Sequence, residues 1–181
     1  MKILMRTLMP TLLICLLAPA AVVFAQDAPP KTASAQAADS GGKKAFEKLK
    51  TLAGSWQGTI MNIPINFTIR AVSSGTAILH EGNTEKGVPN HEITMFYVDG
   101  DRLLATHYCD AGNRSNMEGK MSADGTSVEF NFLDVAGSTK GGLVKRLMFT
   151  MIDANKHIAE FTFIMPNGTP VELRGEFQRT K

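Results

Sequence analysis

The chain has 181 residues, with 19 Lys and Arg against 17 Asp and Glu, a length that suits a single domain. Two of the basic residues, Lys2 and Arg6, precede an apolar stretch from Leu8 to Phe24, so the remainder balances at 17 of each sign. A neutral body excludes the basic footprint of a nucleic-acid binder and a polybasic membrane-binding surface.

The two basic residues, an apolar core broken by Pro10 and Pro19, and Val23-Phe24-Ala25 together read as a secretory signal peptide over residues 1–25, cleaved after Ala25. Ile14 before Cys15 lacks the small side chain that a lipoprotein signal requires. No later stretch is long and apolar enough to span a bilayer. The expected location is therefore periplasmic or secreted. Cleavage removes Cys15 and leaves Cys109 alone, so no internal disulfide is expected and the core must supply the stability. Residues 26–42, QDAPPKTASAQAADSGG, carry almost no large apolar side chains. Such a segment cannot bury enough surface to offset its ordering entropy and reads as a flexible linker. The folded domain is expected over residues 43–181.

Phe46, Leu49 and Leu52 recur three apart among lysines, predicting one short amphipathic helix that Gly54 can end. Everything after it reads as strands joined by turn chemistry. Ile65, Phe67, Ile69 and Ala71 alternate with polar neighbours, and Val171, Leu173, Gly175 and Phe177 do the same near the end. Asp99-Gly100 and Asp124-Gly125 mark hairpins, and Asp134 to Gly142 reads as a glycine-rich loop. About ten strands linked by short turns must run antiparallel to their neighbours. An open meander of that length would twist strongly and expose two edges, so the expected fold is an all-β, up-and-down barrel capped by the N-terminal helix. A two-sheet sandwich is the alternative that strand counting leaves open.

Gly54-Ser55-Trp56, following a short helix, resembles the Gly-x-Trp of lipocalins and related calycin barrels. The resemblance implies that Trp56 closes the barrel floor beneath an arginine from the last strand, Arg174 or Arg179, whose flat cation can stack on the indole. The run Asp99 to Cys109, with Gly112-Asn113 and Met117, looks like the central segment of exported bacterial calycin-like domains of unknown function. It implies no established activity. Gly54-Ser55-Trp56-Gln57-Gly58 is also similar to the start of the haem-binding nitrobindin barrels, which place a haem-ligating histidine late in the chain. His157 is the late histidine here.

The densest group of reactive side chains is Thr106-His107-Tyr108-Cys109, on the outgoing strand of the Asp99-Gly100 hairpin. A two-residue turn at Asp99-Gly100 predicts Phe96 opposite Leu103, Glu92 opposite His107 and Asn90 opposite Cys109. Facing side chains lie about 5 Å apart at Cβ, so Glu92 and His107 can interact, with Cys109 two residues along on the same face. The other face carries His91, Ile93, Met95, Tyr97 and Tyr108. Hydrophobicity does not decide which face is interior; an enclosed position for the odd thiol favours the face of Glu92, His107 and Cys109.

Three chemistries fit that face, beside a filled core in which Glu92 and His107 satisfy each other and Cys109 packs as a small hydrophobe. One is a ligand pocket, with Glu92, His107, Cys109 and Phe96 joined by Asn113 and Met117 from the next strand. Another is a metal site on the mixed donors Glu92, His107 and Cys109, whose spacing matches no structural zinc motif. The third, Cys109 as a nucleophile with His107 as base, lacks a nameable oxyanion donor. The reading leans away from an enzyme. It assigns no catalytic residue, metal or cofactor, and expects a monomer or homodimer that takes up a small apolar or amphipathic molecule. A barrel without a pocket, acting as an envelope or interaction protein, is the competing class, and a haem-binding barrel a further one.

Overall fold

The computed structural model describes residues 41–83 and 91–180. The expected signal peptide, Cys15, the linker as far as residue 40, and Asn90 lie outside the described residues. Helix α1 (Gly41–Lys50) is followed by ten strands: β1 (Gly54–Ile60), β2 (Ile63–Val72), β3 (Ala77–Asn83), β4 (Ile93–Asp99), β5 (Arg102–Cys109), β6 (Asn113–Met121), β7 (Ser127–Gly137), β8 (Leu143–Asp153), β9 (Lys156–Ile164) and β10 (Pro170–Arg179). Each strand pairs antiparallel with the next, and β10 pairs back on β1, closing the barrel. The closed up-and-down barrel with its capping helix is thus observed, and the sandwich alternative falls. Closure follows from the need to satisfy the two edges that a linear meander would expose.

The helix begins two residues earlier than composition suggests. Gly42 is buried against the β4–β5 turn, where an added Cβ would sit 2.2 Å from the Asp101 carbonyl oxygen. Only glycine allows that approach. Ala45, Phe46, Leu49 and Leu52 then bury the apolar stripe over one end of the barrel. The expected loop over Asp134 to Gly142 is also shorter than predicted. β7 runs on to Gly137 and pairs with β6 as far as Gly137 opposite Asn113, across a register shift at Asn116/Met117. Such a bulge absorbs one extra residue and lets the ladder continue.

The two ends of the barrel differ. At the helix end, the Trp56 indole N–H donates to the Leu52 carbonyl oxygen at 2.8 Å. The Arg179 guanidinium lies 4.3 Å from the indole centroid. It donates to the carbonyl oxygens of Thr51 at 3.0 Å and Ala154 at 2.8 Å, and to that of Ala53. One side chain therefore ties β10 to the C-terminus of α1 and to the β8–β9 turn. Arg174 does not share this role. It lies an odd number of residues from Arg179, so strand alternation sends it outward, where it pairs with Glu176. Gly58 completes the Gly-x-Trp-x-Gly start by allowing β10 to pack close, since a Cβ there would meet the Glu176 carbonyl oxygen at 2.2 Å and the Phe177 ring at 2.6 Å.

The opposite end is bounded by the β1–β2, β5–β6, β7–β8 and β9–β10 turns. Phe96, Phe130 and Phe149 pack together on the β4–β8 side, with ring centroids 5.0 and 5.8 Å apart. Space remains on the side formed by β1–β3, β9 and β10.

Candidate functional site

The hairpin at the centre of the site is shifted from the predicted register. Its last pair is Asp99 with Arg102, so the two-residue turn is Gly100-Asp101. Gly100 has φ of 62°, while Asp101 is not left-handed. Glycine at the first central position is the type II′ pattern, whereas Asp99-Gly100 would have needed two left-handed residues in a type I′ turn. Phe96 therefore faces Ala105, and Thr94 faces His107. Continuing that register puts Glu92 across from Cys109. The shift is two residues, so no side chain changes face.

The interior face carries Thr94, Phe96, Leu103, Ala105, His107 and Cys109, with His107 2% and Cys109 8% exposed. Tyr108, on the outer face, is 45% exposed. Pairing with β6 extends the pattern into cross-strand rows. Ala105 faces Met117, His107 faces Ser115 and Cys109 faces Asn113. From the helix end toward the opposite end, the interior thus passes from apolar rows to Thr94–His107–Ser115 and then to Cys109–Asn113.

At this polar end, His107 Nδ1 lies 2.9 Å from the Thr94 hydroxyl. Its Nε2 is buried without a hydrogen-bond partner among the described residues and lies 3.7 Å from Glu92 Oε2, too far for a hydrogen bond. The Cys109 thiol donates to Glu92 Oε1 at 3.3 Å. Ligand atoms from Glu92, His107 and Cys109 all fall within 4.8 Å of one another. Burial lowers the His107 pKa against the opposing pull of Glu92 and Asp110, so the ring is neutral at neutral pH. Burial, reinforced by Glu92 and Asp110, pushes the Cys109 thiol up to about 11. A thiol so protonated, bonded to a carboxylate rather than to the imidazole, is a poor nucleophile.

A cavity of about 320 Å³ adjoins this cluster. Glu92, Thr94, His107 and His80 supply its polar wall, and Ile60, Ile65, Phe67, Phe161, Phe163, Leu173 and Phe177 most of the apolar one. Of the expected ligand-binding residues, only Glu92 and His107 line it. Phe96 and Met117 are spent in the core, 2% and 0% exposed. Asn113 instead anchors the β7–β8 loop, donating to the carbonyl oxygens of Ser138 at 3.0 Å and Gly142 at 2.7 Å. Cys109 bonds to Glu92 without lining the cavity.

Sequence reasoning missed His80, Thr94 and the aromatic wall. His80 stacks on Phe67 at 4.5 Å, and burial, with smaller contributions from His107 and His157, lowers its pKa to about 3. The available signal was the alternation Ile78-His80-Gly82, but β3 carries Leu79 on the other face and offered no reason to choose. Residues of β9 and β10 reach the same cavity only because the barrel closes.

His157 belongs to the other end. It is fully buried, its ring 4.2 Å from Trp56 edge-on and 5.5 Å from Phe177 in a stack. Neither ring nitrogen has a partner among the described residues, and burial, then Arg179, lowers its pKa to about 4. It does not line the cavity. The residues therefore do not fit a haem held by His157, because the aromatic plug occupies the space on which a flat macrocycle would have to sit.

No helix among the described residues is long and apolar enough to cross a membrane. No family model matches the chain, and no curated protein matches it. Among solved structures, the barrel is similar to Rv2717c from M. tuberculosis, with a TM-score of 0.51 and 14% identity over 76% of this chain and 98% of that one. At that identity the likeness carries the fold alone, a ten-stranded antiparallel barrel.

Proposed function

We propose that this is an exported barrel that takes up one small amphipathic molecule in its interior. The observation that carries the reading is the cavity, about 320 Å³ with aromatic and aliphatic walls and a polar wall of His80, Glu92, Thr94 and His107. Small-molecule sites are built this way, from an apolar body and a few convergent polar groups, and span about 300–1,000 Å³. The apolar part of the ligand lies against Phe67, Phe161 and Phe163. A hydroxyl or amine head meets His107 Nε2 and the Glu92 carboxylate. The pocket-less envelope barrel is the weaker reading, since it gives this space and the unpartnered His107 nitrogen no role. Export rests on the composition of residues 1–25, and a mature N-terminus at Gln26 in a secreted or periplasmic fraction is its test.

Calorimetric titration with n-alkanols from hexanol to dodecanol tests the binding. Each added methylene should tighten binding about fourfold, from a transfer free energy of about 0.8 kcal/mol, until the cavity is full. Leu173→Trp, which narrows the cavity, should weaken binding and shorten the longest alkanol that fits. The reading fails if no alkanol binds saturably, or if Leu173→Trp binds as the natural chain does.

A further inference from the structure

The geometry points to a divalent metal site at the polar end of the barrel, held by Glu92, His107 and Cys109 with a fourth position facing the cavity. It does not require an organic ligand, since its donors stand together without one. For a zinc-class ion, bond lengths of about 2.0–2.3 Å in a tetrahedron imply donor separations of about 3.4–3.6 Å. Two observed separations lie close to that range, with Cys109 Sγ 3.3 Å from Glu92 Oε1 and His107 Nε2 3.7 Å from Oε2 of the same carboxylate. All three donors fall within 4.8 Å of one another, so small side-chain rotations suffice to converge them.

The second observation is independent of the cluster. His107 is 2% exposed, and its Nε2 has no hydrogen-bond partner among the described residues. A buried imidazole nitrogen left unpaired is destabilising, and coordination relieves that cost. The other nitrogen already has the kind of partner that orients metal-bound histidines. With Nδ1–H donating to the Thr94 hydroxyl at 2.9 Å, the Nε2 lone pair points at Glu92.

One thiolate, one neutral imidazole and one carboxylate suit zinc and its neighbours rather than magnesium or calcium, which favour all-oxygen shells. Binding breaks the Cys109 S–H bond, forms a sulfur–metal bond and releases the proton to solvent. No electrons change hands. Three protein ligands leave a coordination position for water or for a ligand head group, and Glu92 and His107 line the cavity from which it would come.

The test is cobalt titration of the full-length chain after chelator treatment. One equivalent should give a thiolate-to-cobalt charge-transfer band and the visible bands of a four-coordinate ion, all displaced by zinc. Cys109→Ser should abolish the charge-transfer band, and Thr94→Val should weaken affinity about 10–100-fold with unchanged far-ultraviolet dichroism. Glu92→Gln and His107→Ala should each weaken it at least as much. The absence of a charge-transfer band in the natural chain at millimolar cobalt overturns the site, as does a band that survives Cys109→Ser. Running the alkanol series on the same samples separates the two ideas. Alkanol binding without a cobalt band sinks the metal site alone, and a cobalt band without alkanol binding sinks only the organic ligand.

Discussion

Each end of this barrel buries a histidine, and the two are treated in opposite ways. His157, at the helix end, is packed by the rings of Trp56, Phe67 and Phe177 and has no polar partner on either nitrogen. His107, toward the opposite end, has Thr94 on one nitrogen and a carboxylate and a thiol near the other. The first environment makes a plug, in which an aromatic ring fills space. The second keeps a lone pair available beside a cavity. Burial of a titratable group is therefore no guide to function until its neighbours are counted.

That contrast predicts that damage to the plug costs stability, whereas damage to the polar cluster costs binding. The largest effect should come from Trp56→Ala, which leaves a cavity and orphans the Leu52 carbonyl oxygen. A loss of about 3–5 kcal/mol is expected, read by urea unfolding, and a loss below about 1 kcal/mol would mean that Trp56 does not close the floor.

Next comes pH. The folded-state pKa of His157 is about 4 against an ordinary 6.5, so the neutral form is favoured by folding. Its stabilisation is fully present above pH 6.5 and is lost as pH falls from 6.5 toward 4, on the order of 3 kcal/mol. His157→Leu should flatten that part of the pH–stability curve, leaving the similar contribution from His80, whose pKa is about 3. An unchanged curve would show that His157 takes up its proton without opening the plug.

Arg179→Met keeps some of the stacking surface over Trp56 but removes the donors to Thr51, Ala53 and Ala154. A loss of about 1–2 kcal/mol is expected. Arg174→Met, on the outer face, should change stability by less than about 0.5 kcal/mol, and equal losses for the two would break the assignment. His107→Leu should also cost little stability beside the plug variants. Replacing an incompletely bonded imidazole with an apolar side chain should shift stability by no more than about 1 kcal/mol, while alkanol binding is lost. A large destabilisation with binding intact would place His107 in the plug's category.

Much of the barrel was legible from alternation and turn spacing, because both are local. Asp99-Gly100 marked the hairpin correctly but misplaced its turn by one residue, since dipeptide preference does not report which residue takes the left-handed conformation. The resulting error of two residues in pairing kept Glu92, His107 and Cys109 on one face. Asn113 and Met117 were placed on the right strand, yet one anchors a loop and the other fills the core. Those roles depend on what the β7–β8 loop and the facing strands bring to them. Arg174 and Arg179 were separable by parity alone, once Phe177 was taken as interior.

By itself the sequence determined that the domain is an antiparallel meander of about ten strands preceded by a short helix, that one thiol remains after the expected cleavage, and that Glu92, His107 and Cys109 share a face. All of these follow from period-two alternation, short links and composition, which act over a few residues. Only the tertiary structure decided that this face is interior, that His80 and Phe161 share a cavity with His107, and that His157 belongs to the plug. Those facts join strands far apart in the chain, and they are set by barrel closure and by which large side chains reach the axis first.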